Sequence, residues 1–281
     1  MPERKAMERI YHFAIMLSIA YFCVLLLLRI FEPHLIYFPN YPGRLAGDWQ
    51  PRGLPVEDVW IAAHDGVRLH AWWIPAEKAS FTFLAFHGNA GNISDRAYVY
   101  GFLRGTPANV LALEYRGYGK SGGTPGEKDF YRDAQSALAY LAHERHIDPS
   151  HVISFGQSLG TAVAANLASE NAVGGVVLEA PFPSLAGVAK RIYWFLPGLG
   201  LIAGSQFDTK SKLPKIKAPI LIVHCAQDPV IPPALGQEVY DAASQPKTLV
   251  RFEMSCHEES SLLAPAKYNA VLKEFLGKMV R

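Results

Sequence analysis

The pattern of apolar and polar positions divides the chain into two unlike parts. From Ile10 to Leu28, 19 residues pass without an Asp, Glu, Lys or Arg, and the run closes on Val24-Leu25-Leu26-Leu27-Leu28. As a helix at about 1.5 Å per residue it reaches roughly 28 Å, close to the hydrocarbon thickness of a bilayer. It is apolar on every face, so a buried helix of a soluble protein is the weaker reading. Beyond residue 56, short apolar runs alternate with helical patterns. The runs predict strands at 57–63, 68–74, 81–86, 109–114, 152–157, 174–179, 219–224 and 247–253. Asp65-Gly66 joins the first two as a hairpin turn. Helices are predicted at 92–104, 128–144, 159–169, 234–243 and 264–278. This alternation implies an α/β fold: an eight-stranded, mostly parallel sheet with an antiparallel start and helices on both faces.

The apolar run reads as a retained anchor rather than a cleaved signal. Signal peptides have shorter apolar regions and end at a small-x-small site, whereas Arg29-Ile30-Phe31-Glu32-Pro33 follows here. Arg4, Lys5 and Arg9 precede the run and Arg29 is the nearest basic residue after it. The positive-inside tendency then puts the N-terminus in the cytoplasm and the main domain on the opposite side. The expected organisation is a membrane anchor over 1–30, a linker or strap over 31–55, and an α/β domain over 56–281. Phe31, Tyr37, Phe38 and Tyr41 suit either the membrane interface or a strap packed on the domain.

Two segments fit the pattern G-x-S-x-G. Gly119-Lys120-Ser121-Gly122-Gly123 runs into Thr124-Pro125-Gly126, where no helix starts, so Ser121 is expected in a loose structural turn. Gly156-Gln157-Ser158-Leu159-Gly160 instead joins the strand Val152-Ile153-Ser154-Phe155 to a small-residue helix. That context is a nucleophile elbow, a turn so sharp that residues beside the nucleophile must lack bulk. Ser158 is the expected nucleophile. In this arrangement the acid and then a histidine follow the serine along the chain. Only His257 among ten histidines lies beyond residue 224, in the polar loop after the last strand. Asp228 and Glu179 both end strands and compete to orient it; Asp228, set before the rigid Pro229-Val230-Ile231-Pro232-Pro233, is favoured, with Glu179 as a polar support. An oxyanion hole needs two backbone N–H groups. Leu159, after the nucleophile, and Asn89, in His87-Gly88-Asn89-Ala90-Gly91-Asn92, are the expected donors. His87 is expected to brace that loop, and Asp95 and Arg96 to serve the following helix.

With these residues in place, His87-Gly88-Asn89-Ala90-Gly91-Asn92, Tyr115-Arg116-Gly117-Tyr118-Gly119-Lys120-Ser121-Gly122-Gly123-Thr124-Pro125 and the Ser158 elbow together resemble the membrane-anchored α/β-hydrolase-domain proteins. That group includes bacterial members of unknown substrate and eukaryotic protein depalmitoylases, and the resemblance covers about residues 30–280. It implies the α/β-hydrolase fold with a small cap, the triad Ser158, Asp228 and His257, and the oxyanion donors Asn89 and Leu159. The N-terminal cysteine cluster by which the eukaryotic depalmitoylases are lipidated is missing here.

Composition narrows the function further. A net charge of +2 with dispersed charges argues against nucleic acid as a partner. No His/Cys/Asp cluster has ligand spacing, so neither a metal nor an organic cofactor is implied. Cys225 and Cys256 precede Asp228 and His257 closely; unpaired buried thiols are expected, with pairing open to an oxidising compartment. Between the sixth and seventh strands, residues 183–212 exceed a normal connection and carry Ile192-Tyr193-Trp194-Phe195-Leu196-Pro197, Leu199, Leu201 and Ile202. Such a segment reads as a cap, and its apolar content suits a small-molecule or lipid-like acyl substrate, although default packing on the domain explains it equally. The expected activity is hydrolysis of an ester or thioester. An aminopeptidase-like amide hydrolase and a non-enzymatic membrane-anchored binding protein remain as alternatives.

Overall fold

The computed structural model describes residues 2–192, 194–198, 200 and 204–279. Of the apolar cap positions, Tyr193, Leu199, Leu201 and Ile202 lie outside the described residues.

Eight strands form one sheet in the order β1-β2-β4-β3-β5-β6-β7-β8. They are β1 (Glu57–Ala62), β2 (Arg68–Ile74), β3 (Phe81–Phe86), β4 (Ala108–Leu113), β5 (Val152–Gln157), β6 (Gly175–Glu179), β7 (Ile220–Cys225) and β8 (Lys247–Phe252). β2 pairs antiparallel with both β1 and β4, and every other pairing is parallel. The inner parallel strands are buried on both faces, which explains why they are rich in Val, Ile, Leu and Phe without a polar alternation. The chain winds outward from β3 to β4 and then reverses to β5, so β3 and β5 flank the point where crevices form at strand C-termini.

Among the described residues the helices are α1 (Pro2–Ile36), α2 (Ala97–Arg104), α3 (Glu127–Glu144), α4 (Leu159–Glu170), α5 (Leu185–Ile192), α6 (Pro233–Ala242) and α7 (Pro265–Met279), with a four-residue helical turn at Ser260–Leu263. α4 is packed against β5 and β6 and its residues Leu159–Ala168 are all buried, which is why its sequence is small and apolar rather than amphipathic. Where one helix was expected over 92–104, a 3-10 turn at Ile93–Arg96 precedes α2. Asn92 caps that turn, accepting from the Ser94 N–H, while Asp95 reaches back to the Asn92 N–H, and this capping box spends the first turn before the helix starts. Within the long connection, α5 is an additional helix that the strand and helix pattern did not announce.

α1 is long and apolar enough to cross a membrane and is far longer than its uncharged run. After it, residues 37–56 run irregularly along the domain. The Phe38 N–H donates to the Asn89 carbonyl, and the Arg44 guanidinium donates to the carbonyls of Gly119 and Ser121. The aromatic group splits: Tyr37 is buried against Phe130 and Phe207, whereas Phe31, Phe38 and Tyr41 are exposed.

Candidate active site

The four expected chemical elements arrive on loops at the C-terminal ends of β3, β5, β7 and β8. Ser158 sits between β5 and α4 with φ 50° and ψ −116°, a strained conformation for a residue with a side chain. Two glycines permit it. A Cβ on Gly156 would strike the Gly160 carbonyl, and one on Gly160 would strike the carbonyls of Phe86 and His87. The Ser158 N–H is pinned to the Glu179 carbonyl at 2.9 Å. The hydroxyl therefore stands at the N-terminus of α4, where unpartnered amides and the helix dipole favour negative charge.

His257 Nδ1 lies 2.8 Å from Asp228 Oδ2. The other Asp228 oxygen accepts from the Val230 and Ile231 N–H groups at 2.7 and 2.8 Å, which fixes the carboxylate plane through the rigid turn. Burial opposes ionisation of Asp228, but hydrogen bonds with His224 and His257, the His257 charge and the Ile231 amide outweigh it. Its carboxyl is held well below the usual carboxylate range. Burial pushes the His257 imidazole down, yet the Asp228 hydrogen bond and the charges of Glu258, Asp228 and Glu259 raise it above its ordinary value.

Glu179 does not approach His257 as a hydrogen-bond partner. Fully buried, it accepts from Gln157 Nε2 at 2.9 Å, from the Tyr268 hydroxyl at 3.2 Å and from the Ser260 hydroxyl. Gln157 also donates to the Glu258 carbonyl, so the network ties the residue before Ser158 to the residue after His257. Burial pushes the Glu179 carboxyl up to about 7, against the Ser260 and Gln157 hydrogen bonds and with the help of the Glu258 charge.

His87 braces the β3 loop: Nδ1 is 2.7 Å from the Gly88 carbonyl and Nε2 is 3.1 Å from Glu114 Oε1, while Glu114 Oε2 accepts from the Ile93 N–H. The Asn89 side chain donates to the Ile36 carbonyl at the end of α1, and its own carbonyl accepts from the Tyr118 hydroxyl. Ser158, Leu159, Asn89 and His257 all line one cavity of about 740 Å³.

Three features escape sequence reasoning. Arg96 does not serve its own helix; it reaches across to Glu258 at 3.1 Å and lines the cavity. A Cβ on Gly88 would occupy the place of that Glu258 carboxylate. His224 is a second imidazole on Asp228, with Nε2 3.4 Å from Oδ2 and 3.0 Å from the Ile231 carbonyl. The spacing His224-x-x-x-Asp228 was visible, but nothing local marks a strand residue that turns toward its own loop.

Two expectations are corrected. Cys225 and Cys256 form a disulfide with a Cα–Cα distance of 5.6 Å, instead of two free thiols. Cys225 ends β7 opposite Phe252, and the loop after β8 folds back over that strand end, bringing Cys256 to Cys225 and His257 to Asp228. Ser121, expected in a loose turn, is fully buried. Its hydroxyl accepts from the His70 N–H at 2.9 Å and donates to the Glu114 carbonyl at 2.8 Å, joining β2 to the residue after β4.

Comparison with known proteins agrees with this architecture. Residues 77–203 match the family model for serine aminopeptidase, S33. The chain is 35% identical to the α/β-hydrolase domain-containing protein WAV2 of Arabidopsis thaliana, over 90% of this chain and 89% of that one. It is 31% identical to the α/β-hydrolase domain-containing protein 17B of Xenopus laevis, over 72% of this chain and 68% of that protein. Among solved structures, an esterase from Pyrococcus furiosus superposes with a TM-score of 0.71 at 23% identity, covering 86% of this chain and 97% of its own. Fold, strand order and relatives agree, and the chain belongs to the α/β-hydrolase family.

Proposed function

We propose that this hydrolase cleaves an ester or thioester of an acyl substrate through a covalent acyl-enzyme. The observation that carries the reading is the line from Asp228 to His257 at 2.8 Å, ending on the cavity where Ser158 stands in its strained turn. Ser158 Oγ attacks the acyl carbonyl while His257 Nε2 accepts its proton. Asp228 holds the Nδ1 proton and the imidazole plane, and stabilises the imidazolium that forms. The Leu159 and Asn89 N–H groups receive the developing oxyanion. As the intermediate collapses, His257 returns the proton to the departing alcohol or thiol. A water then gives a proton to His257 and attacks the acyl-enzyme, and the acid leaves as Ser158 is reprotonated.

An amide-cleaving reading draws on the family model's serine aminopeptidases. The cavity favours the acyl reading, because its carboxylates are already engaged: Glu258 by Arg96 and Glu32 by Arg29. A substrate ammonium would have to displace a guanidinium. α1 serves as a single-pass anchor with its N-terminus cytoplasmic and the hydrolase domain across the bilayer. The Cys225–Cys256 disulfide supports that side, since such bonds persist in oxidising compartments.

A fluorophosphonate probe tests the assignment. Wild type and Ser121→Ala are expected to label, and Ser158→Ala to remain unlabelled with a loss in kcat on the order of 10⁶. Labelling of Ser158→Ala would sink the triad. Turnover of aminoacyl amides in preference to p-nitrophenyl esters would move the reading to a peptidase, and an unlabelled wild type would leave a binding protein.

A further inference from the structure

We propose that α1 is more than a tether: its C-terminal half forms one wall of the acyl site, and the acyl chain reaches Ser158 sideways from the bilayer. The inference rests on the ester or thioester reading above and on α1 spanning the membrane.

The first observation is a stripe on α1. Among its described side chains, only Tyr21, Leu25, Leu28, Glu32 and Ile36 are wholly or partly withdrawn from solvent. Their spacings of four, three, four and four residues keep them on one face of the helix. That face lies against the hydrolase domain, and the exposed positions of the uncharged run are left for lipid.

The second observation is depth. The Tyr21 hydroxyl donates to the Pro197 carbonyl, and Leu25 Cδ1 comes within 3.9 Å of where a Cβ on Gly198 would stand. Tyr21 and Leu25 belong to the uncharged run that ends at Leu28. Tyr21 lies about 10 Å along the helix from Leu28, at the usual rise per residue. With α1 in a bilayer, the cap segment touching it is therefore immersed below the headgroups. Its side chains suit that place: Trp194 is 79% exposed and Phe195 59% exposed. Arg29, next after the run, marks the headgroup level.

The third observation is the cavity itself. Leu28, Leu35 and Ile36 of α1 line it together with Leu185, Val188 and Ile192 of α5, and Ser158 and His257 line the same cavity. The polar groups of α1 that border it are engaged. Arg29 pairs with Glu32 at 3.1 Å, and Glu32 accepts from the Gly204 and Ser205 N–H groups at 2.8 and 2.7 Å, which clamps the helix to the returning cap. What remains on this side is an apolar slot that begins where the membrane-embedded run ends. An acyl chain entering along α1 never leaves apolar surroundings, whereas a route through water exposes every methylene.

The test uses the full chain in phosphatidylcholine vesicles, with p-nitrophenyl palmitate in the same vesicles and p-nitrophenyl acetate in the water. Leu28→Trp and Leu35→Trp narrow the wall; Val24→Trp, on an exposed position outside the cavity, is the control. The palmitate-to-acetate ratio of kcat/KM is expected to fall at least tenfold in each wall variant and to hold in the control. An unchanged ratio in both wall variants, with both esters turned over, overturns this inference and leaves the hydrolase reading intact. A wild type that cleaves neither ester overturns the hydrolase reading instead. Should the tryptophans prevent folding, a photoactivatable palmitoyl ester in vesicles with Ser158→Ala protein gives an independent reading. Crosslinks on residues 28–36 are expected, and crosslinks confined to other segments overturn the proposal.

Discussion

Ser121 and Ser158 are each flanked two residues away by glycines, and each lies beyond a buried strand of the sheet, yet the fold uses them in opposite ways. Ser121 turns its hydroxyl inward, where a donor and an acceptor of the backbone consume it. Ser158 adopts a positive φ that turns its hydroxyl out to a cavity, and its backbone, rather than its side chain, makes the local hydrogen bonds. What differs is the continuation. Leu159-Gly160-Thr161 starts a helix at once, and Gly160 lets that helix lie directly on the β3 carbonyls. Thr124-Pro125 cannot do this, so the first serine becomes a clip between β2 and the end of β4. The two turns thus differ in whether the neighbouring backbone takes up the hydroxyl or leaves it to the cavity.

The contrast can be broken at graded points. After the loss expected of Ser158→Ala, the next largest effect belongs to Asp228→Asn, which leaves the shape but removes the group that holds the His257 tautomer. A fall in kcat on the order of 10⁴ is expected in ester turnover. Because Asp228 helps raise the His257 pKa, the acidic limb of the kcat/KM profile should also move to lower pH in this variant. A limb that stays in place would remove His257 from the titration. Gly160→Ala should come next: its methyl meets two carbonyls, costing about 1–3 kcal/mol of stability, and it pushes the elbow off the oxyanion loop. Probe labelling much slower than wild type in the folded fraction is the expected readout. Ser121→Ala reverses the signature. It strands a buried donor and acceptor for about 1–3 kcal/mol in denaturant unfolding, with kcat unchanged below the transition.

The smallest effect probes the support behind the elbow. Burial raises Glu179 from an ordinary carboxyl to about 7, so the folded state binds its proton more tightly than the unfolded chain does. Its contribution to stability is complete at a pH below its unfolded value, and is lost as pH rises through about 7. Glu179→Gln should flatten that part of the stability profile while keeping the hydrogen bonds to the loop largely intact. An identical slope in both proteins would show that Glu179 is already ionised when buried.

Much of this was legible in the sequence, because sheet strands buried on both faces write themselves as apolar runs and a nucleophile elbow demands glycines at fixed places. The meeting of His257 with Asp228 could be anticipated from their order along the chain. The inward stripe of α1 could not: Leu25 and Leu28 are chemically the same as the leucines beside them, so only packing separates the domain-facing side from the lipid-facing one. Arg96 and Glu258 are far apart in sequence and meet only because the loops after β3 and β8 converge. The Cys225–Cys256 bond escapes the sequence for the same reason: it depends on how far the last loop folds back, which no local pattern records.

That last loop has a consequence for how the protein fails. β8 is one edge of the sheet, only partly covered along its length, and His257 lies in the loop beyond its end. Segments with few buried contacts open locally at a free energy well below that of global unfolding. The Cys225–Cys256 bond fastens the end of β7 to the residue before His257 across a separation of 31 residues. A fraying β8 therefore cannot carry the imidazole away from Asp228. With the bond intact, heat should take activity and overall structure together; with it reduced, the enzyme should fall silent while most of the sheet is still folded.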